Sequence, residues 1–371
     1  MIALIEQSGR VLGRRAARLA ATAVAAGALA VLVAWPSGAA RTAVAALVAC
    51  WLFFTALAAG SVALSAVART AQGTWADPVA EALEGGTAWF PAAWVLLAAL
   101  LAAGPLWMPH LGAEEHPTWL ALASRSLIGV GLLFVVGTRF ARASRAGRWD
   151  PATGTLGIVY LLLYVLVVSM WTVDLVMELG SGEPSAIVPA QAFIAALLSA
   201  IAWAALLCSA GAVETKLRHD LGKMLFGFSS FWAYFVWCSF LPVWYANLPS
   251  ETGELIDRTS EGWDVISLGI IAACFVFPFA LLLPEQVKKR PALLGLGSVS
   301  VLIGLGAERF LLVLRPLRIP VTPANLLFAA AIAAGATGLF ALLVSARLPL
   351  RPAETGSGAD GAHAPVVPRA V

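Results

Sequence analysis

Apolar positions in this chain do not alternate with polar ones. They run together in stretches that suit helices buried on every side. Ten such runs follow one another, at 17–35, 42–67, 87–108, 119–138, 154–177, 188–212, 221–247, 263–283, 292–314 and 324–346. Each reaches about 20 residues, the length an α-helix needs to cross about 30 Å of hydrocarbon. The pattern predicts an all-α polytopic membrane protein of about ten transmembrane helices, with a transmembrane helical domain over 1–351. The Pro-, Gly- and Ala-rich stretch 352–371 reads as a disordered cytoplasmic tail. The first run also has features of a secretory signal, a basic flank and then Ser37-Gly38-Ala39-Ala40 behind the apolar stretch, although that stretch is longer than most.

Charge orients the runs. Basic residues gather in alternate connections: Arg10, Arg14, Arg15 and Arg18 before the first run, Arg69 after the second, and Arg139, Arg142, Arg145 and Arg148 after the fourth. Lys216, Arg218 and Lys223 flank the sixth-to-seventh connection, Lys288, Lys289 and Arg290 follow the eighth run, and Arg347, Arg351 and Arg369 follow the tenth. Of the 24 Lys and Arg, only Arg41, Arg125, Arg258, Arg309, Arg315 and Arg318 fall on the other side. This asymmetry predicts that both termini are cytoplasmic. The outer connections (110–116 with Glu114 and Glu115, 178–184, and 247–264) are acidic and rich in Pro and Gly. They suit docking of a partner on the outer face, and solvation of helix ends accounts for them equally well.

Composition agrees with the pattern. Charged residues make up 12% of the chain, against about 25% in soluble domains, too few to coat a water-soluble globule. Many of the 14 tryptophans stand near run ends, as interfacial belts do. Cys50, Cys208, Cys238 and Cys274 lie in apolar runs with no C-x-x-C pair, and His110, His116, His219 and His363 stand at or outside run ends, away from where an axial haem ligand would sit. No phosphate-binding loop, dinucleotide fingerprint, H-E-x-x-H or G-x-S-x-G occurs in a credible context, so autonomous enzymatic chemistry and a nucleic-acid partner are not expected.

Ionisable groups inside apolar runs are costly and must find partners or water. Arg125 and Asp174 fall near the outer ends of the fourth and fifth runs, and Glu308 and Arg309 in the outer part of the ninth, about 24 Å from its start. All four share one predicted depth. There they can hold each other as structural pairs, bind a polar headgroup such as a quinol, or pass protons. Glu81, Glu84, Glu214, Asp220 and Lys223 fall at the cytoplasmic edge, where they read either as the mouth of a proton path or as solvated helix caps. Between the two sets lie hydroxyls: Tyr160, Tyr164, Ser169 and Thr172 on the fifth run, and Ser229, Ser230, Tyr234 and Ser239 on the seventh. These can bridge a water chain or bond helix to helix. The aromatic seventh run is either a platform for a quinone ring, with Tyr234 as a candidate, or packing plus belt.

The seventh run also carries the most distinctive stretch. It reads His219-Asp220-Leu221-Gly222-Lys223-Met224-Leu225-Phe226-Gly227-Phe228-Ser229-Ser230-Phe231-Trp232-Ala233-Tyr234, and continues through Leu241-Pro242-Val243-Trp244-Tyr245-Ala246-Asn247-Leu248-Pro249 to Glu251-Thr252. It resembles the D-L-G-K-x-L-F-x-F-x-x-F-W-A-Y … W-Y-A-N-x-P-E-E-T signature of the ActF-type subunit of alternative complex III, an NrfD-like membrane subunit of a quinol:electron-acceptor oxidoreductase. Around Asp174 the chain keeps that family's Asp and Met-x-Leu; Glu308-Arg309 stands where such subunits tend to show a His or Trp and an Asp.

The resemblance implies two four-helix bundles with peripheral first and last helices, in a bacterial inner (cytoplasmic) membrane. It implies assembly with a homologous NrfD-like subunit, an iron–sulfur subunit and cytochrome c subunits. Iron–sulfur clusters and haem c would belong to those partners, and this chain would bind no cofactor of its own unless quinone or menaquinone docks on it. Its own role would be assembly, quinol binding or proton conduction. A stand-alone secondary transporter or proton-conducting protein is the competing reading, and a purely structural anchor a third.

Overall fold

The computed structural model describes residues 13–71, 73, 77–108, 119–146, 151–180, 185–210, 213–246 and 262–347. Among these, every element is helical. The ten spans are α1 (Arg14–Ala34), α2 (Ala40–Thr70), α3 (Asp77–Ala102), α4 (Trp119–Arg145), α5 (Pro151–Leu175), α6 (Ile187–Ala210), α7 (Thr215–Ala246), α8 (Trp263–Leu282), α9 (Pro291–Leu314) and α10 (Pro323–Ser345). Each is long and apolar enough to cross a membrane, so the fold is that of a multi-pass membrane protein. The 352–371 tail, the outer connection at 110–116 and most of 247–264 lie outside the described residues.

The starts of two helices lie more than a turn ahead of the apolar runs. The run at 87–108 is the later part of a helix that already begins at Asp77, and the run at 221–247 belongs to one that begins at Thr215. In both, the missed turns carry charge (Glu81 and Glu84; Lys216, Arg218 and Asp220), which a hydropathy pattern reads as connection.

Helix α2 is the central element. It is buried on nearly every face and packs on α3, α5, α6, α9 and α10. Its many Ala, Gly, Ser and Thr let neighbouring backbones approach, which in lipid replaces the hydrophobic drive that packs soluble helices. At Gly60 a Cβ would stand 2.4 Å from the Ala196 carbonyl oxygen of α6, so no larger residue fits there. Helix α1 is peripheral and lies chiefly along α10, where Gly27 and Gly335 meet backbone to backbone. Buried apolar side chains form two clusters, one over α2–α5 and α10 and the other over α6–α9, meeting along α2 and α6.

The outward faces are as apolar as the interior: Leu162 is 63% exposed, Leu268 67% and Leu327 72%. Such a surface requires lipid or another apolar solvent. Not all tryptophans form a belt. Trp51 and Trp89 are buried, and their indole N–H groups donate to the Ala93 carbonyl (2.7 Å) and to Thr55 Oγ1 (3.2 Å).

Two spans are locally irregular. In α3 a 3₁₀ turn, Gly85–Ala88, joins Asp77–Glu84 to Phe90–Ala102. In α8, Pro278 has no N–H for the carbonyl four residues back, and the preceding turn, Ala272–Val276, widens to a π-helix. Ser300 Oγ of α9 donates to the Ala273 carbonyl of that turn at 2.9 Å.

Candidate functional site: three buried acid–base centres

The first centre joins α4 to α5. Asp174, 1% exposed, receives Arg125 Nε on Oδ2 at 2.7 Å, while Arg125 Nη2 donates to Oδ1. Ser126 Oγ donates to Oδ2 at 3.4 Å. The pairing is bidentate, the strongest geometry open to a carboxylate and a guanidinium. Arg125 is 44% exposed, so the pair is closed on the Asp side and open on the Arg side.

The second centre is on α9. Glu308 Oε1 accepts Gln191 Nε2 of α6 at 2.9 Å and Trp232 Nε1 of α7 at 3.1 Å, and Arg309 Nη2 stands 3.2 Å from Oε2. Both charged side chains are almost wholly buried. Gln191 Oε1 in turn accepts Ser239 Oγ of α7 at 3.5 Å. One turn earlier on α9, Gly304 brings the backbone so close to the π turn of α8 that a Cβ would stand 2.5 Å from Cys274 Sγ. Four spans therefore converge around one carboxylate.

The third centre surrounds Glu84, placed by the sequence pattern at a cytoplasmic edge and fully buried in the structure. Its Oε1 accepts Ser65 Oγ (2.9 Å), Ser144 Oγ (2.6 Å) and Arg69 Nε (3.2 Å), and Arg145 Nε stands 3.5 Å from Oε2. The 3₁₀ turn begins on the next residue, and Thr87 Oγ1 donates back to the Glu84 carbonyl at 2.8 Å. The helix break thus fixes where the carboxylate points.

The structure separates residues that share a predicted depth. No hydrogen bond or ion pair among the described residues links the Arg125–Asp174 pair to Glu308–Arg309. Of the cytoplasmic set, only Glu84 turns inward. Glu81 and Glu214 are exposed, and Lys223 Nζ lies 3.3 Å from Asp220 Oδ1 on the surface. Near them Glu285, on the short helix Glu285–Lys289, is held below the ordinary carboxylate range by its hydrogen bond from Lys289 (2.6 Å) and by the charges of Lys289 and His219. Tyr234 is 57% exposed and points out of the assembly with Phe231 and Trp237, while Trp232 points in.

Several hydroxyls close on carbonyls rather than on one another. Tyr160 donates to Ala59, Thr172 to Val168, Ser230 to Phe226 and Ser239 to Phe235. Those of Tyr164 and Ser229 are buried without a partner.

Sequence reasoning missed Gln191, Ser65 and Ser144, and counted Arg69 and Arg145 only as topology charges. A polar amide inside an apolar run was a visible signal for Gln191; the others become partners only when distant helices meet.

No family model and no curated protein matches the sequence.

Proposed function

We propose that this chain is a membrane subunit of a quinol:electron-acceptor oxidoreductase of the alternative complex III type, in a bacterial cytoplasmic membrane. Both termini face the cytoplasm, α2–α5 and α6–α9 form two four-helix bundles, and α1 and α10 are peripheral. A homologous NrfD-like subunit, an iron–sulfur subunit and cytochrome c subunits complete the assembly and carry the clusters and haem c. This chain contributes to assembly and to quinol binding or proton movement at Glu308.

The observation that carries the reading is the placement of the distinctive stretch. Residues 219–246 lie within one helix, α7, whose inward Trp232 donates to the buried carboxylate of Glu308. That carboxylate is held by a cation, an amide and an indole, groups that can orient a quinol hydroxyl or stabilise either protonation state.

The test is quinol oxidation by membranes carrying Glu308→Gln. That change keeps an acceptor for Trp232 and removes the charge. Turnover is expected to fall by about tenfold or more, the scale of losing a proton-transfer group, while the subunits still assemble. Wild-type turnover in an assembled E308Q complex would contradict a role for this centre.

A second reading, a stand-alone secondary transporter, draws on the irregular spans. The 3₁₀ turn of α3 and the π turn of α8 fall on the third helix of each five-helix half, and interrupted helices in matching positions are a mark of transporters.

A further inference from the structure

Away from the three centres, α3 and α4 part at the surface to form a groove of about 700 Å³. Its walls are apolar and outward-facing: Val95 is 65% exposed, Ile128 69% and Val135 51%. The polar atom of Trp94 is already satisfied, since its indole N–H donates to the Leu127 carbonyl at 3.2 Å. Gly131 leaves space for that ring, because a Cβ there would stand 3.1 Å from Trp94 Nε1.

One end of the groove is different. Arg139 and Arg142 line it, one turn apart on the same face of α4. Both are exposed, and neither forms an ion pair with a carboxylate among the described residues. Arg145, one turn further on, goes inward to Glu84. Among the described residues, the two guanidinium groups thus stay without a matched carboxylate. From Ile128 to Arg139 the helix rises about 17 Å, close to the thickness of one leaflet of hydrocarbon, about 15 Å.

We propose that this groove binds one anionic phospholipid from the leaflet on the Arg139 side. An acyl chain lies along the Ile128–Val135 wall, and the phosphate sits between Arg139 and Arg142. A net-negative headgroup is selected over a zwitterionic one, because no cation of the lipid competes for the phosphate. Each arginine close to such a headgroup is worth roughly a fivefold change in binding, so the pair gives about 25-fold.

The test is native mass spectrometry of the full chain, with whatever subunits purify with it, after detergent exchange and titration with phosphatidylglycerol or phosphatidylcholine. The wild type is expected to retain one phosphatidylglycerol with about 25-fold preference. R139Q/R142Q is expected to abolish the preference. V135W fills the groove with both arginines in place and is expected to reduce retention of either lipid by tenfold or more. All three positions are exposed, so melting in lipid-free detergent should stay at the wild-type value. Equal retention of the two lipids by the wild type, or unchanged preference in R139Q/R142Q, would overturn the proposal. So would unchanged retention in V135W, or a neutral quinone or a protein subunit found seated in the groove.

Discussion

At the scale of single residues, the chain concentrates its cost in three carboxylates. Glu84, Asp174 and Glu308 are each buried, and each is held by a guanidinium together with hydroxyl, amide or indole donors. Removing one side of such a buried pair is more damaging than removing the pair, because the remaining charge is left without compensation. Glu84→Ala, which strips the carboxylate that Arg69 and Arg145 both face, is expected to cost on the order of 3–5 kcal/mol. Glu84→Gln keeps an acceptor for Ser65 and Ser144 and should cost less. Asp220→Ala, on the surface, should change stability by about 0.5 kcal/mol or less. Thermal unfolding in detergent checks the order; equal melting of E84A and D220A would contradict the burial of Glu84. Little of this arrangement is legible in the sequence. Glu308 and Asp174 stand out because a charge inside an apolar run is rare. Glu84 does not, because it falls just ahead of the run it belongs to, and nothing in the order of residues shows that Ser144 and Arg145 return to meet it.

At the scale of elements, the apolar runs translate directly into spans, since about 20 apolar residues leave the backbone no other way to satisfy its hydrogen bonds in lipid. What the runs hide is irregularity. The 3₁₀ turn after Glu84 follows a charged stretch that hydropathy reads as connection, the π turn before Pro278 sits inside uniformly apolar sequence, and each lies beside a buried charge centre. The close contacts are also hidden, because glycine and alanine score as weakly apolar wherever they face. The Gly27–Gly335 approach accounts for how α1 is held on α10. Gly335→Leu has no room at that crossing. It is expected to detach α1 and expose its stretch 14–34 to limited proteolysis, while the more deeply buried α2 stays protected. Equal protection of α1 in the variant and the wild type would contradict this packing.

At the scale of the whole molecule, a central helix of small residues gathers its neighbours, two apolar clusters meet along it, and the outward surface is a lipid-facing one. Burial is uneven: α7 keeps most of its aromatic face outside, with Tyr234 57% and Trp244 62% exposed, which suits a surface that a neighbouring membrane subunit covers. In the proposed function the chain works as one part of an electron-transfer complex. The measurement that tests it most directly is purification of the tagged chain in mild detergent, with mass spectrometry of the accompanying proteins and an absorption spectrum. An iron–sulfur subunit, a second NrfD-like subunit and cytochrome c subunits are expected in stoichiometric amounts, with a haem c spectrum. A colourless chain that migrates alone would contradict this function and leave the transporter reading in its place.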